Sequence, residues 1–405
     1  MHRDDMDGMT RRGFLKASGV LGVAALLSGA NLVSMEDVAQ AAVRTPLPLG
    51  EGILVVVTLY GGNDGLNTVI PYADPVYHAS RPGLAYSADE VLPLDARLGL
   101  NPGMTGMKAL WDAGRLAIVR GVEYPSPDHS HFRSMDIWQS ASPDAPESSG
   151  WLGRWLDHRN AGALRALNIG ATMPPLLVGR RLAASALPIG GLRVPAGPVG
   201  GALRALAGTP AASADGMAAS QALSDWFATA AETGSVLGAS HPSPAPGSGS
   251  LGQQLDVVAR LIAAGVPTNV YSVSLGGFDT HAGEKATQTS LLAEVSAAVA
   301  GFVQTIDATP RAKDVTVMVY SEFGRRVAAN LNQGTDHGTA GPLFLVGSRI
   351  GGGYFGEQPP LNALQQGDLA VTTDFRDVYA TLLERVLATP ADAVIPGWSG
   401  RLLPA

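Results

Sequence analysis

The sequence predicts an α/β protein with a doubly wound, mostly parallel sheet and helices on both faces. Two observations carry this expectation. Short apolar runs rich in Val and Ile alternate with stretches of helical period, and polar clusters follow those runs at their carboxyl ends. A length of 405 residues accommodates one large domain, and 46% hydrophobic against 16% charged residues is the composition of a globular chain.

The strands expected in order are 53–60 (ILVVVTLY), 116–122 (LAIVRGV), 269–275 (NVYSVSL), 314–320 (DVTVMVY) and 342–347 (PLFLVG). Helices are expected over 104–113, 131–140, 151–160, 217–236, 251–265, 286–307 and 376–388. In the helix at 286–307, Leu291, Leu292, Val295, Ala298, Val299, Phe302 and Ile306 recur at spacings of three and four, so one face belongs to the core. Residues 171–250 break this rhythm with small, Pro-rich and Gly-rich stretches and read as a loop-rich or cap insert. Within it, Gly247-Ser248-Gly249-Ser250-Leu251-Gly252 matches GxGxxG. The preceding PSPAP is no strand, so the match lacks the context of a dinucleotide site.

At the amino terminus Thr10-Arg11-Arg12-Gly13-Phe14-Leu15-Lys16 precedes a mildly apolar stretch and then Ala39-Gln40-Ala41, a small-residue cleavage pattern. This resembles a twin-arginine export signal over residues 1–41, which would engage the twin-arginine (Tat) translocase and leave 42–405 as a periplasmic or secreted domain. The apolar stretch of about 14 residues is too short for a bilayer core that needs roughly 20. No later segment is expected to span a membrane.

The net charge of -7 offers no basic footprint for nucleic acid. With no cysteines, any metal must sit on oxygen and imidazole ligands. Four polar clusters supply such groups. Gly61-Gly62-Asn63-Asp64 follows the first strand, with a plain turn as the simplest alternative. Asp128-His129-Ser130-His131 opens a helix, where exposed N–H groups favour anions and a nucleophile is well placed. In Phe278-Asp279-Thr280-His281, Asp279 and His281 are two residues apart and can point the same way on an extended segment. Glu322 and Arg325 follow the strand at 314–320, and Asp336-His337 precedes the last one. Carboxylates and neutral imidazoles gathered at strand ends suit a divalent cation, with an arginine to clamp an anion.

The stretches LYGGNDGLNTVIPY, SHFRSMDIW, GGFDTH, SEFGRRVAANLNQGTDHGTAGPLFLVGSRIGGGYFGE and DLAVTTDFRDVYATLLE resemble the DUF1501 family of exported bacterial proteins, which is grouped with the alkaline phosphatase-like superfamily. The resemblance implies a doubly wound sheet presenting two metals at strand ends. It matches Asp64 to the first-strand ligand, Asp279 and His281 to a later ligand pair, and His337 to a late histidine. Where the superfamily has an Asp-His pair this chain has Ser321-Glu322, which removes one imidazole and leaves room for one ion in place of two. No Ser-x-Pro-x-Arg stretch marks a formylglycine-type sulfatase.

The expected function is an exported metal-dependent hydrolase of phosphate- or sulfate-type esters, small or polysaccharide-linked. The expected catalytic residues are Ser130, His129, His131 and Arg325. The expected ligands are Asp64, Asp279, His281, Glu322, Asp336 and His337, holding zinc, manganese, magnesium or calcium. The alternative is a non-catalytic periplasmic binding or assembly protein with a degenerate hydrolase site.

Overall fold

The computed structural model describes residues 31–33, 35–160, 162–170, 172–188 and 250–403. The twin-arginine stretch, the expected helix at 217–236 and most of the 171–250 segment lie outside these residues. Helix α1 (Met35–Arg44) runs across the position where leader cleavage is expected, with Val38 and Ala42 in the core.

A ten-stranded sheet forms the centre. Its main strands are β1 (Ile53–Tyr60), β2 (Leu116–Glu123), β3 (Ala166–Ile169), β4 (Ser185–Leu187), β5 (Val270–Gly276), β6 (Val315–Ser321), β7 (Gly341–Val346) and β8 (Gly353–Phe355). Across the sheet the order is Asn31–Leu32, β4, β3, β5, β1, β6, β7, β2, β8, with Thr373–Asp374 also paired to β2. Only β7 runs against its neighbours, β6 and β2. The expected mostly parallel, doubly wound sheet is what the chain builds. Strand β4 belongs to this sheet, although it falls in the stretch expected to be a loop-rich insert.

Alternation along β1 divides the core. Ile53, Val55, Val57 and Leu59 face one layer, and Leu54 and Val56 the other. The first layer holds α2 (Thr105–Asp112), α5 (Ser250–Ala263) and α6 (Glu284–Asp307), and the second holds α3 (His131–Ser140), α4 (Trp151–Arg159) and α7 (Phe375–Arg385). Because both faces are covered, the strands are apolar throughout rather than alternating with polar residues. Among the described residues α6 is one helix long and apolar enough to cross a membrane by length and composition. Here it is a core helix: Leu292, Val295, Val299, Phe302 and Ile306 are buried against the sheet. Each such side chain contributes about 1.5–3 kcal/mol by leaving water.

The register aligns the carboxyl ends that matter. Leu59 of β1 lies opposite Ser321 of β6, and Tyr60 opposite Gly276 of β5. Strand β2 points the same way, since the reversed β7 lies between it and β6. The segments leaving β1, β2, β5 and β6 therefore share one edge of the sheet.

Candidate metal centre

The centre is built around one carboxylate oxygen. Asp279 Oδ1 lies 3.0 Å from His281 Nε2, 3.3 Å from His337 Nε2 and 3.4 Å from His131 Nε2. The His281 and His337 Nε2 atoms are 3.0 Å apart. Donors placed 2.0–2.2 Å from one tetrahedral ion lie about 3.3 Å from each other, so these spacings suit a shared cation. The donors that all lie within 4.8 Å of one another are those of His131, Asp279 and His337, with His281 beside them against Asp279 and His337.

The other ring nitrogens are already engaged. His131 Nδ1 lies 2.8 Å from Glu322 Oε1, His281 Nδ1 3.3 Å from Asp336 Oδ1, and His337 Nδ1 2.7 Å from the His129 carbonyl. Assigned from these acceptors, each neutral ring carries its proton on Nδ1 and turns a lone pair inward from Nε2. His131 Nε2 is buried without a hydrogen-bond partner. His337 Nε2 faces Asp279, and His281 Nε2 also receives Arg325 Nη1 at 3.4 Å, a contact that an arriving ion would replace. The donor set fits a divalent ion.

Electrostatics favour the ligating form of Asp279 and His337 and oppose it at His131. Burial alone would raise the Asp279 carboxyl. The hydrogen bond and charge of Arg325, followed by the charges of His131 and His281, instead hold it down to about 2. The His337 imidazole is lowered by burial and by the charges of His131 and Arg325, against the hydrogen bond to the His129 carbonyl. Burial also lowers the His131 imidazole, but the Glu322 carboxylate outweighs it and raises the ring above its ordinary value. Beneath these rings lies Phe323, 4.8 Å from His131 and 4.9 Å from His337 between centroids. Gly62, at φ +67°, makes room for it: a Cβ there would come within 2.1 Å of the Phe323 ring.

Of the ten residues expected from sequence, Asp279, His281 and His337 supply inward-facing donors. His131, expected at a catalytic post, supplies the fourth. The others sit elsewhere, for physical reasons. Asp64 is buried, and both its oxygens are taken by Arg81, Oδ1 at 2.9 Å from Nη2 and Oδ2 paired with Nη1; Oδ1 also caps Leu66 N. It makes a buried ion pair and faces no ligand crevice. Glu322 is 2% exposed and accepts from Gly61 N and Ser321 Oγ, so it stands behind His131 as an orienting carboxylate. Asp336 stands behind His281 in the same way, held by Asn330 Nδ2 at 3.2 Å.

Arg325, expected to clamp a substrate anion, has its donors spent. It serves the carbonyls of Gly61, Gly62, Phe278 and Thr335 as well as Asp279 and His281 Nε2, and it is 1% exposed. Its role is to lock three backbone segments, Gly61–Gly62, Phe278 and Thr335, around Asp279. Ser130 is the exposed N-cap of α3, with no side-chain capping bond and its amide on Asp128 Oδ1 at 2.7 Å. The His129 ring pairs with Asp368 at 3.2 Å, and only its carbonyl reaches the centre.

Several contributors carry no sequence signal. Arg81 sits in an ordinary turn after a short helix. Glu284, fully buried at the start of α6, accepts a 2.5 Å bond from Thr335 Oγ1. Burial, then the charge and hydrogen bond of Asp64, push its carboxyl up to about 9. Asp64 is the ionised partner: burial raises its carboxyl, but Arg81, and then Glu284, bring it below its usual range.

Fold and site define an α/β protein with a histidine-rich candidate metal centre at the carboxyl edge of its sheet. The chain belongs to the DUF1501 family, described as proteins of unknown function, which matches residues 122–401. No curated protein matches it. Among solved structures it is similar to a protein in the alkaline phosphatase superfamily from Vibrio parahaemolyticus, at 10% identity over 95% of this chain and 78% of that one, with a TM-score of 0.43. It is also similar to murine ectonucleotide pyrophosphatase/phosphodiesterase 5, at 9% identity over 84% of this chain and 96% of that one, with a TM-score of 0.39. A third is the lipoteichoic acid synthase LtaP from Listeria monocytogenes, at 7% identity over 88% of this chain and 78% of that one, with a TM-score of 0.35.

Proposed function

We propose that this chain is an exported metal-dependent hydrolase acting on phosphate- or sulfate-type esters. The observation that carries the reading is the convergence of three imidazole Nε2 atoms on Asp279 Oδ1, each ring turned by an acceptor at its Nδ1. A divalent ion there supplies a Lewis acid and lowers the pKa of a water or hydroxyl. The chain's own residues do the positioning. Arg325 fixes Asp279, Glu322 and Asp336 hold the rings of His131 and His281, and the amide end of α3 favours the developing negative charge.

Metal-loaded protein should hydrolyse an aryl phosphate or aryl sulfate from a broad ester panel, and Asp279→Ala should fall to background. A panel without turnover, with Asp279→Ala indistinguishable from the parent, ends this reading. One observation favours the second reading, a non-catalytic periplasmic binding or assembly protein. Arg325 has no free fork for an anionic substrate, so metal bound without turnover would support it. Export through the twin-arginine route is part of the proposal and rests on Arg11-Arg12 and the apolar stretch after them. Terminal sequencing of protein recovered outside the cytoplasm tests it.

A further inference from the structure

The resemblance to the alkaline phosphatase-like superfamily implies two cations, and the residues here do not fit the second. Next to Asp64 stands a guanidinium instead. Arg81 is fully buried, takes both Asp64 oxygens, and spends its remaining donors on the carbonyls of Val327 at 2.9 Å and Arg326 at 2.8 Å. Around Asp64 the Leu66 amide donates to Oδ1, and Thr68 Oγ1 and Gln288 Nε2 donate to the Asp64 carbonyl. Glu284, the other carboxyl of this cluster, is committed to Thr335 and is kept neutral by burial beside Asp64. No imidazole joins the group among the described residues. An ion entering here would have to strand a buried guanidinium, which is unfavourable because its charge would lose the carboxylate it is paired with.

We infer that the chain holds a single ion on His131, His281, His337 and Asp279, and that Arg81 serves as the fixed internal cation of Asp64 in place of a second metal. This rests on the metal-binding half of the proposed function. A set of three nitrogens and one oxygen also selects the class of ion. It suits zinc and its first-row neighbours, whereas magnesium and calcium prefer oxygen ligands in larger number.

The test is calorimetric titration of chelator-stripped, full-length protein with zinc chloride, alongside elemental analysis of the loaded protein. The expected result is one zinc per chain, undisturbed by about a thousandfold excess of magnesium. His131→Asn should weaken zinc binding by tenfold or more. Asp64→Asn should leave it within about threefold, because Asp64 is not a donor. If that variant does not fold, the double variant Asp64→Asn/Arg81→Met replaces the pair with neutral groups of similar size and keeps the comparison. Two zinc ions per chain overturn the inference. So does an Asp64 variant that weakens binding as much as His131→Asn, displacement by magnesium, or no binding at all. One zinc without ester turnover sustains the inference and removes the hydrolase reading, while two zinc ions with turnover do the reverse.

Discussion

The buried carboxyl pair beneath the metal centre makes stability depend on pH in a direction that can be worked out. Glu284 has a folded-state pKa of about 9 against an ordinary value of 4.5, so between these values the folded chain holds a proton that the unfolded chain has released. Stability from this group is fully present below the unfolded value and is lost as pH rises through the folded one. One pKa unit corresponds to roughly 1 kcal/mol or a little more, so moving from pH 6 to pH 8 removes at most about 3 kcal/mol. Glu284→Gln keeps the shape and a donor toward Asp64 but has no proton to lose. Denaturant unfolding of both proteins at pH 6 and pH 8, in chelator so that metal linkage is absent, gives the difference directly. Wild type should lose up to that amount relative to the variant. Parallel pH dependence in the two proteins would refute the assignment of the proton to Glu284. If Asp64→Asn, and not Glu284→Gln, flattens the curve, the proton resides on Asp64.

Three further outcomes follow from the same geometry. Glu322→Gln should weaken zinc binding about 10–100-fold, or about 1.4–2.7 kcal/mol, without unfolding the chain, because the ring of His131 loses its orienting charge; calorimetry against wild type checks this. Arg325→Lys should destabilise by about 3–5 kcal/mol in chemical denaturation, since the fork that joins four carbonyls and Asp279 is lost; a change near zero would show that the lock is not needed. Zinc at a hundredfold excess over its dissociation constant should raise stability by about 2.7 kcal/mol over chelated protein, and His281→Ala should abolish this rise in a thermal melt.

Much of the fold was legible because its central strands are buried on both faces. Runs such as ILVVVTLY leave little choice of period, and β1, β2, β5, β6 and β7 all fall within a residue of their expected bounds. The helix expected at 131–140 is α3 itself, its start marked by a serine and its inner face by Ile137 and Trp138. The missed strands are the short ones. Ala166–Ile169, Ser185–Leu187 and Gly353–Phe355 have three or four residues each, too few for a period to appear. They become strands because a neighbouring strand offers unpaired backbone groups, and that information lies in the partner rather than in the segment.

The site divides along the same line. Sequence shows which residue types leave the carboxyl ends of strands or lead into the last one, and this was enough to gather Asp279, His281 and His337. It does not show depth. Glu322 and Asp279 each follow a strand closely, yet Glu322 is buried against the Gly61 amide while Asp279 is half exposed at the centre. One therefore orients a ligand and the other can be one. Depth also decides Asp64, which looks like a ligand only while Arg81 is read as an unremarkable turn residue. Once the two are seen to neutralise each other away from water, the charge balance changes: three imidazoles and one carboxylate remain to meet solvent, with one arginine already committed. A centre so composed gains its affinity from nitrogen donors and rigid supports, and its capacity to hold an anionic substrate must come from the ion and the end of α3, because no side-chain cation in the described cluster is free to do it.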